Sequence, residues 1–236
     1  WNLGGNGPTI VFNDADLDKA AAGICAGAFL NGGQTCSATE AVFAQRSIHD
    51  SLVKKIKELA AKLISGDPMI KGTQLGPLHS KNVVDKMEFH IKDALDKGAK
   101  LEIGGTRNID FDNRLFFSPT VLSNVPIDAE VMKEETFGPI IPISPFDTYE
   151  EMVAACKLPQ YGLASSVWTN DLGLGMRFSE ELRSGIVNIN DASTYWELHI
   201  PFGGGSSTDS GRGRIGGIQT LVEMTEIKTI TFSVEK

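Results

Sequence analysis

Residues 31–36 read Asn-Gly-Gly-Gln-Thr-Cys and set Cys36 behind two glycines, between Thr35 and Ser37. A thiol becomes a nucleophile when polar surroundings, backbone N–H groups or nearby positive charge favour its thiolate. A glycine-lined loop between a helix and a strand exposes such N–H groups near the sulfur. The same groups could hold the oxyanion formed when sulfur adds to a carbonyl. The other reading of Cys36 is a small apolar core residue, as many free cysteines are. Cys25 and Cys156 lie in alanine-containing helical runs and read as structural. A cysteine protease needs a histidine partner, and His49, His79, His90 and His199 are each isolated. Without one, the nucleophile needs a target more electrophilic than an amide, and an aldehyde qualifies.

A second stretch, Glu-Glu-Thr-Phe-Gly-Pro at 134–139, puts two carboxylates before an aromatic residue and a Gly-Pro turn. Glu134 and Glu135 read either as a solvated pair at the end of an element or as a ribose ligand. One carboxylate can accept from both vicinal hydroxyls of a ribose, with an aromatic two residues on beside a flat ring. Residues 211–216, Gly-Arg-Gly-Arg-Ile-Gly, fit the G-x-G-x-x-G spacing. They follow Ser-Ser-Thr-Asp-Ser rather than a strand, and no downstream acid completes a βαβ unit. They read as a glycine-rich turn after Phe-Gly-Gly-Gly at 202–205.

These stretches must be held by a core, and 236 residues at 41% hydrophobic are enough for one large α/β domain. A net charge of −8 argues against nucleic acid or an anionic membrane surface as partner. Three cysteines without CxxC spacing argue against a disulfide framework and a zinc site, and point to a reducing, cytoplasmic compartment. No apolar run approaches the roughly 18 residues of a membrane span, and no signal peptide is visible. Trp1 opens the chain in mid-pattern, as expected of a piece of a longer protein.

Hydrophobic periodicity predicts strands at 9–12, 39–45, 100–103, 164–168 and 185–188, with further strands in 116–122 and 140–146. Pro119 and Pro142 suggest edges or bends in the last two. Helices are predicted after a cap at Asp14 through residue 29, and at 48–64, 80–97, 149–156 and 172–182. Strand and helix in turn predict a largely parallel sheet flanked by helices. Residues 225–236 alternate instead, with Lys228, Ile230 and Phe232 on one side. Such a strand either ends the domain's own sheet or pairs with another chain's edge.

Seven stretches in order resemble the aldehyde dehydrogenase superfamily over nearly the whole chain. They are LGG at 3–5, DADLDKA at 14–20, NGGQTC at 31–36, EETFGP at 134–139, YGLASSVWTND at 161–171, SGIVNIN at 184–190 and PFGG at 201–204. The resemblance implies a catalytic domain over 1–224, an oligomerisation strand over 225–236, and a cofactor-binding domain upstream. It implies that the Cys36 thiolate adds to an aldehyde and that hydride passes to NAD or NADP. A thioester would then be hydrolysed to a carboxylic acid. The Cys36 N–H would form part of the oxyanion hole, Glu135 would bind the nicotinamide ribose, and Phe137 would pack beside the nicotinamide. Leu3 would line the nicotinamide pocket. Leu30, Thr35, Ser37 and Phe202 would line the substrate channel, with Tyr195 and Trp196 near its mouth. The partners implied are a small-molecule aldehyde and further copies of the chain, as a dimer or tetramer.

One position departs from the pattern. Most hydrolytic members carry glutamate two residues before the paired glycines, as general base for deacylation, and here that residue is Asn2. Asparagine cannot take up a proton near neutral pH. Asn2 therefore resembles the branch that transfers its acyl group to coenzyme A; a catalytically silent relative is the remaining reading. Thiol addition and hydride transfer need no base at position 2, whereas thioester hydrolysis needs activated water, to which a positioned base contributes about 10²–10⁴-fold. The full-length protein should release a rapid burst of NAD(P)H and then turn over slowly, and Asn2→Glu should raise the steady rate with the burst unchanged. Stopped-flow absorbance reads both phases. Fast steady turnover of the native protein without coenzyme A contradicts this account of Asn2.

Overall fold

The computed structural model describes residues 4–108, 111, 114–157, 160–205 and 208–234. Asn2 and Leu3 lie outside them. Seven strands form one sheet: β1 (Pro8–Val11), β2 (Ala41–Gln45), β3 (Lys100–Ile103), β4 (Thr120–Ser123), β5 (Ile140–Phe146), β6 (Ala164–Trp168) and β7 (Ile186–Ile189). Their spatial order is β3-β4-β5-β2-β1-β6-β7. Every neighbouring pair is parallel except β3–β4. The α/β architecture expected from alternating patterns is the one observed.

Parallel strands need crossovers, and here most crossovers run through helices that cover both faces. On one face α1 (Leu17–Phe29) and α2 (Arg46–Ala60) bury Ala20, Ile24, Leu52 and Ile56 against Val11, Val42 and Ile141. On the other, α3 (Lys81–Asp96), α5 (Tyr149–Cys156) and α6 (Leu172–Glu181) bury Met87, Met152 and Phe178 against Ile10, Phe43 and Ile140. Phe12 meets Phe146 and Phe178 edge-on, at 5.7 and 5.4 Å between ring centres. Because both faces are covered, the central strands read as apolar runs rather than alternating ones.

Several expected boundaries move, each for a visible reason. The cap of α1 is Asp16, whose carboxylate accepts from the N–H groups of Asp18 and Lys19. Asp14 is not the cap; it accepts from the Thr169 hydroxyl and the N–H groups of Asn170 and Asp171, joining the loop after β1 to the end of β6. Helix α2 follows β2 directly and stops at Ala60, before residue 64. Two short helices, α4 (Glu130–Lys133) and α7 (Gly217–Glu223), were not expected. At four and seven residues they are too short to show a period.

Pro142 does not mark an edge. It lies inside β5, between β4 and β2, where Pro142 stands opposite Leu122 and Pro145 opposite Ala44. Each proline removes one ladder donor. The buried, apolar remainder of the strand holds its place between the helix layers. The 211–216 segment is a turn, as expected: Phe202 and Ile215 exchange backbone hydrogen bonds of 2.6 and 2.8 Å, and the Arg214 guanidinium donates to the Gly204 carbonyl. Residues 225–234 do not end the sheet. They form no ladder with it and are exposed. No helix among the described residues is long and apolar enough to cross a membrane.

Candidate active site

Three segments enter adjacent parallel strands from the same end: residues 4–7 before β1, 34–40 before β2 and 134–139 before β5. Parallel pairing therefore gathers them at the amino ends of the strands, not at the carboxyl ends where open α/β sheets usually bind ligands. These are the segments carrying the two paired glycines, Cys36 and Glu135.

The Cys36 loop starts with a tight turn over Leu30–Gly33, in which Asn31, Gly32 and Gly33 all have positive φ. At Gly33 glycine is required twice over. Its φ is +77°, and an added Cβ would strike the carbonyl of Gly138 and sit 3.0 Å from the Pro139 nitrogen. Gln34 fastens the turn: its amide donates to the Asn31 carbonyl at 2.9 Å and accepts from the His79 N–H at 2.8 Å. The chain then doubles back, with the Ala38 N–H donating to the Thr35 carbonyl at 2.9 Å. Gly5 presses on the same loop, since a Cβ there would strike the Cys36 carbonyl.

Cys36 is half-buried. The N–H groups of Cys36 and Ser37 pull its thiol down, as a peptide-lined nucleophile requires. Burial first, and then the charge of Glu135, outweigh them, so the thiol sits above its ordinary value. Burial pushes Cys25 and Cys156 further, each to about 12. Cys36 is thus the most ionisable of three suppressed thiols rather than a resting thiolate.

The 134–139 loop is held on every side. Glu135 Oε1 accepts from the Gly5 N–H at 3.1 Å, and the Glu135 carbonyl accepts from the Lys86 ammonium. The Thr136 hydroxyl and His90 Nδ1 share a hydrogen bond of 2.9 Å. Glu40, one residue before β2, accepts from the N–H groups of Thr136 and Phe137. Phe137 itself has φ +61°. Tyr161 donates to Glu134 at 3.3 Å. Burial raises the Glu135 carboxyl against the Gly5 N–H and the Lys86 charge. Burial pushes Glu40 up to about 8, opposed by its two backbone donors, and His90 down to about 4, with the Lys86 charge adding to the effect. Lys86, Met87 and His90 share one face of α3, and Met87 packs against Gly138.

The residues present suit the ribose end of a dinucleotide. Glu135 has one oxygen on Gly5 and the other without a partner among the described residues, which leaves an acceptor for hydroxyls. Lys86 supplies a cation beside it. Of the expected channel residues, Leu30 is exposed at the end of α1, while Thr35 is half-buried and Ser37 buried. Trp196 and Phe202 pack together at 5.4 Å between ring centres, and Tyr195 donates to Glu197 at 2.8 Å. Ser193 links this group to the Cys36 loop through the Ser37 carbonyl at 2.8 Å and the Thr39 hydroxyl at 2.9 Å. Glu40, Lys86, His90 and Ser193 were not picked out from the sequence. A signal existed for two of them, since Lys86 and His90 flank Met87 on the apolar stripe of a helix.

Comparison with known proteins points to one family. Residues 1–230 match the family model described as the aldehyde dehydrogenase family. A 3-sulfolactaldehyde dehydrogenase of Priestia aryabhattai is 37% identical over 232 residues, covering 98% of this chain and 47% of that protein. A succinate-semialdehyde dehydrogenase [NADP(+)] of Escherichia coli (strain K12) is 41% identical over 226 residues, covering 96% and 46%. A solved NAD+ complex of an aldehyde dehydrogenase from Bacillus cereus superposes with a TM-score of 0.90 at 35% identity, covering 98% of this chain and 46% of that one. The chain spans about half the length of the curated relatives it matches.

The opposition between Glu135 and Cys36 has a measurable sign. Glu135→Gln removes a negative charge that disfavours the thiolate, so Cys36 should be alkylated by iodoacetamide about 2- to 10-fold faster at pH 7.5. Cys25 and Cys156 should remain slower in both proteins. Peptide mapping after partial alkylation measures all three rates, and an unchanged or slower Cys36 would contradict the electrostatic assignment.

Proposed function

We propose that this chain, which belongs to the aldehyde dehydrogenase family, carries the thiol and the nicotinamide-facing loop of an enzyme that oxidises an aldehyde to a carboxylic acid with NAD(P)+. The observation that carries this reading is the juxtaposition of Cys36, with N–H groups at its sulfur, and the half-buried Glu135 of a second loop, close enough for its charge to act on the thiol.

Cys36 loses its proton and its sulfur adds to the carbonyl carbon, forming a thiohemiacetal whose oxygen takes the negative charge. The Cys36 N–H, which already stabilises charge on the sulfur, donates to that oxygen. When bound, NAD(P)+ accepts the hydride that leaves this carbon, and a Cys36 thioester remains. Attack by water on the thioester releases the carboxylic acid and restores the thiol. Asn2 favours a second reading of this last step, in which the thiol of coenzyme A replaces water and an acyl-CoA is released.

In this reading Glu135 accepts from the ribose hydroxyls, Phe137 packs beside the nicotinamide, and Leu3 lines the same pocket. Leu30, Thr35, Ser37 and Phe202 line the aldehyde channel, with Tyr195 and Trp196 at its mouth. The adenosine half of the dinucleotide is held outside this chain. Residues 1–224 form the catalytic domain and 225–236 an oligomerisation strand. The exposed Ile227, Ile230 and Phe232 of that segment support a homo-oligomer, a dimer or tetramer, that buries them. The three free cysteines fit the cytoplasm.

The full-length protein mixed with an aldehyde and NAD(P)+ should form NAD(P)H, followed at 340 nm, and Cys36→Ala should abolish it. Because the thiol is suppressed, the single-turnover rate should rise with pH as the thiolate fraction grows. Retention of NAD(P)H formation in Cys36→Ala would contradict the proposal.

A further inference from the structure

The proposed chemistry leaves one buried acidic group of the site unused. Glu40 is 1% exposed, at the point where the Cys36 loop enters β2. Its Oε2 accepts from the Thr136 N–H at 2.5 Å and its Oε1 from the Phe137 N–H at 2.8 Å. Two successive backbone donors can converge on one carboxylate only where the chain is turned into a nest. Phe137 supplies that turn with φ +61°, a conformation that a residue with a bulky side chain seldom adopts without help.

The remaining tethers act elsewhere on the loop. Lys86 takes the Glu135 carbonyl, His90 the Thr136 hydroxyl and Gly5 the Glu135 side chain. The Phe137 N–H is directed to Glu40. A glutamine of the same shape would offer one oxygen and turn an NH₂ group against the second N–H. Strand β2, which follows, is Ala-Val-Phe-Ala-Gln, and nothing in its packing calls for a buried carboxylate at its start. The feature that does call for one is the pair of inward-facing N–H groups immediately after Glu135.

We propose that Glu40 is a positioning residue for cofactor engagement, holding Phe137 in its left-handed conformation and thereby aiming Glu135 and Phe137 together at the nicotinamide riboside end of the dinucleotide. The inference rests on the reading of Glu135 and Phe137 given above. Glu40 touches neither cofactor nor substrate. It acts through the backbone, from the same loop that carries the nucleophile, so the thiol and the cofactor contact are set by one segment. A loop freed at Phe137 would still be tied at Glu135 and Thr136, and the Cys36 turn, closed by Gln34 and Thr35, would stay as it is.

The test uses the full-length protein with Glu40→Gln, and with Glu40→Ser, which leaves room for water to reach the freed donors. Leaving a buried donor unpaired shifts an equilibrium by about 10-fold or more. Both variants should raise KM for NAD(P)+ by about 10-fold and slow the NAD(P)H burst. KM for the aldehyde and the iodoacetamide rate of Cys36 should stay within about twofold, because the Cys36 turn is closed by other bonds. Glu40→Ser should recover more of the burst than Glu40→Gln. A variant folded by circular dichroism with unchanged cofactor KM and burst overturns the proposal. So does a loss spread equally over cofactor, aldehyde and thiol reactivity, or failure of both variants to fold, either of which assigns Glu40 to the fold alone. If the unmutated protein forms no NAD(P)H, the functional reading itself fails and this inference with it. A normal burst in the unmutated protein beside indifferent variants removes only the role of Glu40.

Discussion

Everything at the site depends on three strands, β5, β2 and β1, lying side by side and running the same way. Parallel pairing forces the segments that precede them onto one end of the sheet, although residues 5, 36 and 135 are far apart in the chain. Those segments then meet backbone to backbone. Gly33 lies on Gly138 and Gly5 on the Cys36 carbonyl, at separations that a methyl group would not survive. The nucleophile and the carboxylate are neighbours because two peptide loops pack without intervening side chains.

That closeness has an electrostatic consequence. Glu135 is drawn into one half-dry region with Cys36, and Lys86 brings opposite charge to Glu135. The Glu135 charge works against the thiolate, while the N–H groups of Cys36 and Ser37 work for it. A group that neutralises Glu135, or accepts charge beside it, relieves the thiol. In the proposed function, positively charged nicotinamide is such a group, and it offsets the Glu135 part of the suppression while burial remains.

Much of this was legible in the sequence, for reasons that can be traced. Helices such as α2 and α3, at 15 and 16 residues, were found because each is long enough to display its period. The Cys36 loop was legible because Gly32 and Gly33 announce a backbone that side chains would forbid. Glu135 was legible only as one of two readings, since a carboxylate pair says nothing about its depth. Glu40 was not legible, because the N–H groups that give it meaning lie 96 and 97 residues away. The upward shift of Cys36 was missed for the same reason: its glycine-rich loop is local, but the burial of the thiol, and then the approach of Glu135, arise only in the fold. Pro142 misled because a local rule about edges yields to burial between two helix layers.

The central claim is that Cys36 itself becomes acylated by the substrate. Rapid quenching of the full-length protein during its first turnover with an aldehyde and NAD(P)+, followed by digestion and mass spectrometry, tests it directly. The account predicts the acyl group of the added aldehyde on the peptide carrying Cys36, in an amount equal to the NAD(P)H formed. Acylation at Cys25 or Cys156, or NAD(P)H formed with no covalent adduct on any peptide, would contradict it.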